Sequence, residues 1–170
     1  MAVLIIVHPH PFDDGILRQA IPEKVKESQV PVLFVPDGDK KPYGGPEIYD
    51  GVMKPDGDKK LGKHGRAPLR DEDAEKVLEE NNRIFLAGGN LSECLASTYN
   101  SLVRVAGEES LTCKVGMVQD LVYLQAKKSG DVHTLQQLID RAPNYLEHYL
   151  QMFRESDNIS DELVDSSHIT

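Results

Sequence analysis

Four apolar runs of about six residues set the tightest limit on what this chain can fold into: "AVLIIV" (2–7), "VPVLFV" (30–35), "RIFLAG" (83–88) and "CKVGMV" (113–118). None alternates strictly between apolar and polar side chains. Near-continuous hydrophobicity over so short a length is the pattern of a strand covered on both faces. The intervening segments have a different period. Residues 14–28, "DGILRQAIPEKVKES", place Ile16, Leu17, Ala20, Ile21 and Val25 along one helical side, with Pro22 expected to bend or break the helix. Residues 69–81 open with acids suited to a helix N-terminus. Residues 91–107 carry Leu91, Leu95, Thr98, Leu102 and Val105 at helical spacing, and 131–154 predict a long final helix or two pieces split near Pro143. Strand and helix alternate, which predicts an α/β fold with a parallel sheet and helices on both faces.

The size suits this reading, because 170 residues are enough for one well-buried core and short for two. Domain organisation is therefore expected to be a single domain over residues 1–155 followed by an acidic, fraying tail, "SDNISDELVDSSHIT", at 156–170. "AVLIIV" is too short to cross a bilayer and lacks the basic leader of a signal peptide, so it reads as a buried strand. A formal net charge of −9 opposes broad contact with nucleic acid or with an anionic membrane surface. The two cysteines, Cys94 and Cys113, fit a reduced cytoplasmic setting better than a disulfide. Cys113 falls within a strand pattern and reads as core.

Between residues 36 and 68 the periodicity dissolves, and "PDGDKK" occurs at 36–41 and again at 55–60. Asp-Gly pairs behind prolines are turn chemistry, and the ligand spacing of a calcium loop is missing. The flanking "PEIYDGVMK" (46–54) could make a short hairpin. A loop of this length is often an active-site cover.

The richest segment is "RIFLAGGNLSECLASTYNSL" (83–102). In an open parallel sheet, ligands bind beyond the carboxyl ends of the strands, where the winding reverses. Gly88 and Gly89 end the third run and permit a sharp turn; Asn90 can cap the next helix, and Glu93 completes a capping-box spacing. Cys94 then falls in the first helical turn, where amide groups and the helix dipole favour a thiolate. The same position also suits a packed apolar thiol.

These residues resemble the nucleophile segment of the isochorismatase-like cysteine hydrolases, in which a strand ends in glycine and a T-D-x-C-V-x-x-T-A pattern opens the helix. Here Ser92-Glu93-Cys94-Leu95-Ala96-Ser97-Thr98 stands in that place, and "VLIIVHPHPF" stands where the family has a strand followed by D-x-Q-x-D-F. The resemblance covers most of residues 2–125. It implies a three-layer α/β/α sandwich with a mostly parallel, doubly wound, Rossmann-like sheet, and assembly into dimers or higher oligomers. It further implies hydrolysis of a small amide, imide or vinyl-ether-like metabolite through Cys94, without a cofactor. The family's Asp base is replaced by His8, and an imidazole can also activate a thiol. The family's lysine corresponds best to Lys63, with Lys59 and Lys60 nearby; Gly88, Gly89 and Asn90 would lie around the substrate's developing oxyanion. The metal-binding Asp and His set of the nicotinamidase branch is not evident, and His64 alone does not make a metal site. With the Asp replaced, the same fold could instead bind a small molecule or protein partner without catalysis.

"HPHPFDDG" (8–15) supports a further alternative, since it resembles the P-H-P-D-D motif of zinc-dependent N-deacetylases. His10 with Asp13 or Asp14 would then supply metal ligands and a carboxylate base, and His133 would be the remaining ligand. Otherwise His10 ends a strand between prolines, and His133 and His148 face solvent or a partner from the last helix.

Overall fold

The computed structural model describes residues 1–8, 15–35, 43–44, 51–52, 69–144, 147 and 156–169. The elements are β1 (Ala2–Val7), α1 (Gly15–Glu27), β2 (Val32–Val35), β3 (Gly51–Val52), α2 (Asp71–Glu80), β4 (Arg83–Gly88), α3 (Ala96–Glu108), β5 (Cys113–Gln125), β6 (Val132–Thr134), α4 (Leu135–Arg141) and β7 (Ile159–Val164). A π-helical turn, Leu91–Leu95, runs directly into α3, so one helix covers 91–108. The architecture is mixed α/β on a mostly parallel sheet.

The apolar runs became the centre of that sheet. Strand order is β3-β2-β1-β4-β5-β6, with β7 also paired to β5. Among the described residues all pairings are parallel except β5 with β6. Within β1, Val3, Ile5 and Val7 belong to one buried cluster while Leu4 and Ile6 belong to the other. Period-two alternation thus divides one continuous apolar run between two cores. The first cluster takes Ala74, Val77 and Leu78 of α2 and Leu102 and Val105 of α3; the second takes Leu17, Ile21 and Val25 of α1. Helix α1, between β1 and β2, thus packs into the second cluster, and α3, between β4 and β5, into the first.

Three sequence expectations need correction. Helix α1 is not broken at Pro22, with Leu17, Ile21 and Val25 buried along its inner side; that packing outweighs the lost amide hydrogen bond. Gly51–Val52 pairs with β2 in parallel, and the rest of the 46–54 segment expected as a hairpin lies outside the described residues. The expected long helix over 131–154 is, at its start, a strand. Residues 132–134 pair antiparallel with Tyr123, Leu124 and Gln125, because β5 continues past Val118 to Gln125. Helix α4 begins only at Leu135, where Thr134 and Gln137 form a reciprocal capping box, and ends before Pro143.

The third correction concerns the acidic tail. Ile159–Val164 is a strand in full parallel register with β5, from Cys113–Ile159 to Val118–Val164. Its ends, Ile159 and Val164, are buried, while Ser160 and Asp161 are exposed. Glu162 lies between Arg83 at 2.6 Å and Lys114 at 2.9 Å, tying β7 to β4 and β5. Asp120 accepts the Ser166 N–H at 2.8 Å and its hydroxyl at 2.5 Å, and Ile169 enters the second cluster.

Candidate functional site at the reversal of the sheet

The chain moves outward from β1 through β2 to β3, then returns to the other side of β1 with β4. The carboxyl ends of β1 and β4 therefore meet where the winding reverses, the place at which open α/β sheets form a ligand crevice. Val7 pairs with Gly88, and the Gly89 N–H donates to the Val7 carbonyl at 2.9 Å. His8 comes from one side of this junction and the Gly89–Cys94 segment from the other.

Both glycines are sterically required. Gly88 has φ +89°, and a Cβ there would lie 1.9 Å from the Val7 carbonyl oxygen. A Cβ on Gly89 would lie 2.7 Å from the Tyr123 ring and equally close to that residue's carbonyl oxygen. Backbone from β1 and a side chain from β5 thus occupy the volume a larger residue would need.

His8 is buried, with 6% exposure. Its φ is +47°, so the regular strand stops at Val7. Left-handed backbone costs a non-glycine residue about 1–2 kcal/mol. Hydrogen bonds on both sides of the residue hold it: its N–H donates to the Val35 carbonyl at 2.8 Å, and its carbonyl accepts the Tyr123 hydroxyl at 2.9 Å.

Asn90 occupies the N-cap position, but its side chain does not cap the helix. The amide instead donates to the Gln125 carbonyl and accepts the Gln125 N–H, both at 3.3 Å, like an added rung on β5. The expected capping box does not form, because Glu93 turns outward to Lys127 at 3.3 Å. Glu93 and Leu95 both donate their N–H to the Asn90 carbonyl at 3.1 Å, which widens this turn into a π-helix.

Cys94 lies in that first turn, as its spacing predicts. It is 9% exposed and belongs to the first apolar cluster with Val7, Leu91 and Leu95. Thr98 donates its hydroxyl to the Cys94 carbonyl at 2.8 Å, anchoring the start of the helix. Cys94 is thus a packed thiol, but one packed beside the junction rather than deep in a helix body.

The structure brings His8, Gly88, Gly89, Asn90 and Cys94 to one junction. Lys63, with Lys59, Lys60 and His64, lies outside the described residues, as do His10, Asp13, Asp14 and His148. His133 is on β6 rather than on a helix, with its Nδ1 3.4 Å from the Arg141 guanidinium. Among the described residues, no three His, Cys, Asp or Glu side chains converge to hold a metal ion. No helix among them is long and apolar enough to cross a membrane. Tyr123 and Gln125 are residues of this junction that the apolar pattern missed. The signal was available in "LVYLQ" (121–125), which resumes an apolar pattern after Gln119 and Asp120.

Two cavities, of about 530 and 340 Å³, open at the opposite end of the sheet. Met1, Val30 and Asn81 line the larger; Asn82, Cys113 and Asn158 line the smaller. Neither touches His8 or Cys94, and the larger combines an apolar floor with Asp73, Lys76 and Glu80 in no arrangement that singles out a ligand. The reversal of the sheet remains the better candidate.

Cys113 is the contrasting thiol. Burial pushes it up to about 11, so it stays protonated at neutral pH. Burial, and then the charge of Asp161, raises the Tyr99 phenol from 10.0 to about 12. Both groups are harder to ionise in the folded chain. Their contribution to stability is complete below about pH 9 and is lost as pH rises through about 11 and 12. Urea unfolding should therefore show a declining free energy across this alkaline window, and Cys113→Ala should flatten its lower half.

No family model matches the chain, and neither a curated protein nor a solved structure matches it.

Proposed function

We propose that this chain is a three-layer α/β/α sandwich with a doubly wound, Rossmann-like sheet, and that it is a divergent cysteine hydrolase of the isochorismatase-like type. Its substrate is a small amide, imide or vinyl-ether-like metabolite, and its setting is the reduced cytoplasm, as a homo-oligomer. The observation that carries the reading is the β1–β4 junction: Val7 pairs with Gly88, so His8 and the first turn of the Cys94 helix leave neighbouring strand ends.

For an amide, His8 takes the Cys94 thiol proton, and the thiolate adds to the carbonyl carbon. Backbone N–H groups that follow Gly89 at the start of the helix receive the oxyanion, since the Gly89 N–H is held by the Val7 carbonyl. Collapse breaks the C–N bond, and the departing nitrogen takes the proton from the imidazolium. Water, deprotonated by His8, then cleaves the thioester, releasing the acid and restoring the thiol. Lys63 supplies positive charge as the lysine does in the family.

Intact-mass analysis during turnover of an amide and imide panel should reveal an acyl adduct on Cys94. Cys94→Ala should remove the adduct and lower turnover by at least about a thousandfold. Two observations favour a second reading, in which the fold binds a small molecule without catalysis: Cys94 is 9% exposed, and the Asn90 side chain is committed to Gln125. That reading predicts ligand-induced thermal stabilisation with neither adduct nor turnover.

A further inference from the structure

We infer that Tyr123 is a positioning residue of this junction, acting on Cys94 chemistry through His8; the inference rests on the hydrolytic reading above. Tyr123 is 1% exposed and lies on β5, where it pairs with Thr134 of β6. Its hydroxyl reaches 115 residues back along the chain to the His8 carbonyl, and its ring fills the volume a Gly89 side chain would need. One side chain therefore touches both strand ends that deliver the proposed base and nucleophile.

The two contacts have separable consequences. The ring sets how closely the Gly88–Gly89 turn approaches β5. The hydroxyl holds a residue whose φ of +47° is unfavourable without such support. The Val35 carbonyl fixes the His8 N–H at 2.8 Å, and Tyr123 fixes the carbonyl on the other side. Together they define the direction in which the imidazole leaves the backbone. A general base must stand within hydrogen-bond reach of the proton it takes, so a small rotation of His8 is enough to disable it.

Tyr123→Phe removes the hydroxyl and keeps the ring. The readout is the rate of iodoacetamide alkylation at Cys94 against pH, resolved by peptide mass, with Cys113 as internal reference. In the wild-type chain, reactivity should rise well below the pH of about 8.5 that marks an ordinary thiol. Tyr123→Phe should displace the profile upward by about one pH unit, a loss of about tenfold on its low-pH limb. His8→Asn should displace it at least as far, and the double variant should lose nothing more.

A Tyr123→Phe profile that coincides with the wild type overturns the positioning role and leaves the hydrolytic reading intact. A displacement that persists in the His8→Asn background also overturns it, since Tyr123 would then act independently of His8. Failure of the hydrolytic reading shows separately, as an ordinary profile in the wild-type chain. Should Tyr123→Phe not fold, a through-bond NMR coupling between the Tyr123 hydroxyl proton and the His8 carbonyl carbon supports the role. A hydroxyl proton in free exchange with solvent overturns it.

Discussion

Gly88→Ala is expected to leave little or no folded protein. The added methyl would sit 1.9 Å from the Val7 carbonyl oxygen, 2.8 Å from its carbonyl carbon and 2.9 Å from its nitrogen. These are backbone atoms of the central strand, so no side chain can rotate away. Relief requires the last β1–β4 pair to separate, which breaks the Gly89 to Val7 hydrogen bond and moves His8 with it. The φ of +89° adds conformational strain for any L side chain. Together these place the loss above about 4 kcal/mol, a large part of the total stability of an ordinary domain. Soluble yield and urea unfolding measure it. Gly107→Ala is the control: that glycine is in α3 with nothing within 4 Å of its added Cβ, and alanine there should stabilise by about 0.5–1 kcal/mol.

Ending the chain after residue 155 is the second large perturbation. It removes β7, a strand in register with β5 over all six of its residues. Ile159, Val164 and Ile169 are buried at 4%, 8% and 2% exposure. Burial of each contributes about 1.5–3 kcal/mol, and their sum alone approaches the lower end of a domain's stability, about 5 kcal/mol. The truncation also strips Glu162 from Arg83 and Lys114, although such half-exposed pairs contribute under about 1 kcal/mol each. The greater damage is to β5, whose Cys113–Val118 segment becomes an unprotected edge bearing Val115 and Met117. Truncated protein should aggregate at concentrations where the full chain stays in solution. A truncated chain that keeps the full chain's melting temperature would contradict this account of β7.

The difference between this segment and β1 explains what was legible in the sequence. "AVLIIV" is buried on both faces and announces itself by hydrophobicity alone. "ISDELV" is buried mainly at its two ends, and its acidic middle makes the composition resemble a solvated tail. Only its partner, β5, supplies the reason for it to be a strand, and a pairing partner is not written locally. The same holds for β6: "VHT" gains its conformation from the distal half of β5. Helix 91–108 was legible from its period, yet its capping was not, because Asn90 had a backbone partner in Gln125 that lies 35 residues away.

At the candidate site, local chemistry placed Gly88 at the end of β4, Gly89 in the turn that follows it and Cys94 in the first helical turn. Parallel pairing of β1 and β4 then explains why His8 leaves the strand end next to theirs. What no local pattern could reveal was Tyr123, whose role depends on a contact spanning 115 residues.

The most direct measurement is the thiolate ultraviolet absorbance of the Cys113→Ala chain against pH, which leaves Cys94 as its sole thiol. The proposed site predicts half-ionisation well below about pH 8.5, returning towards that value when His8→Asn is added. Half-ionisation at or above about pH 8.5 in the chain that retains His8 would contradict it.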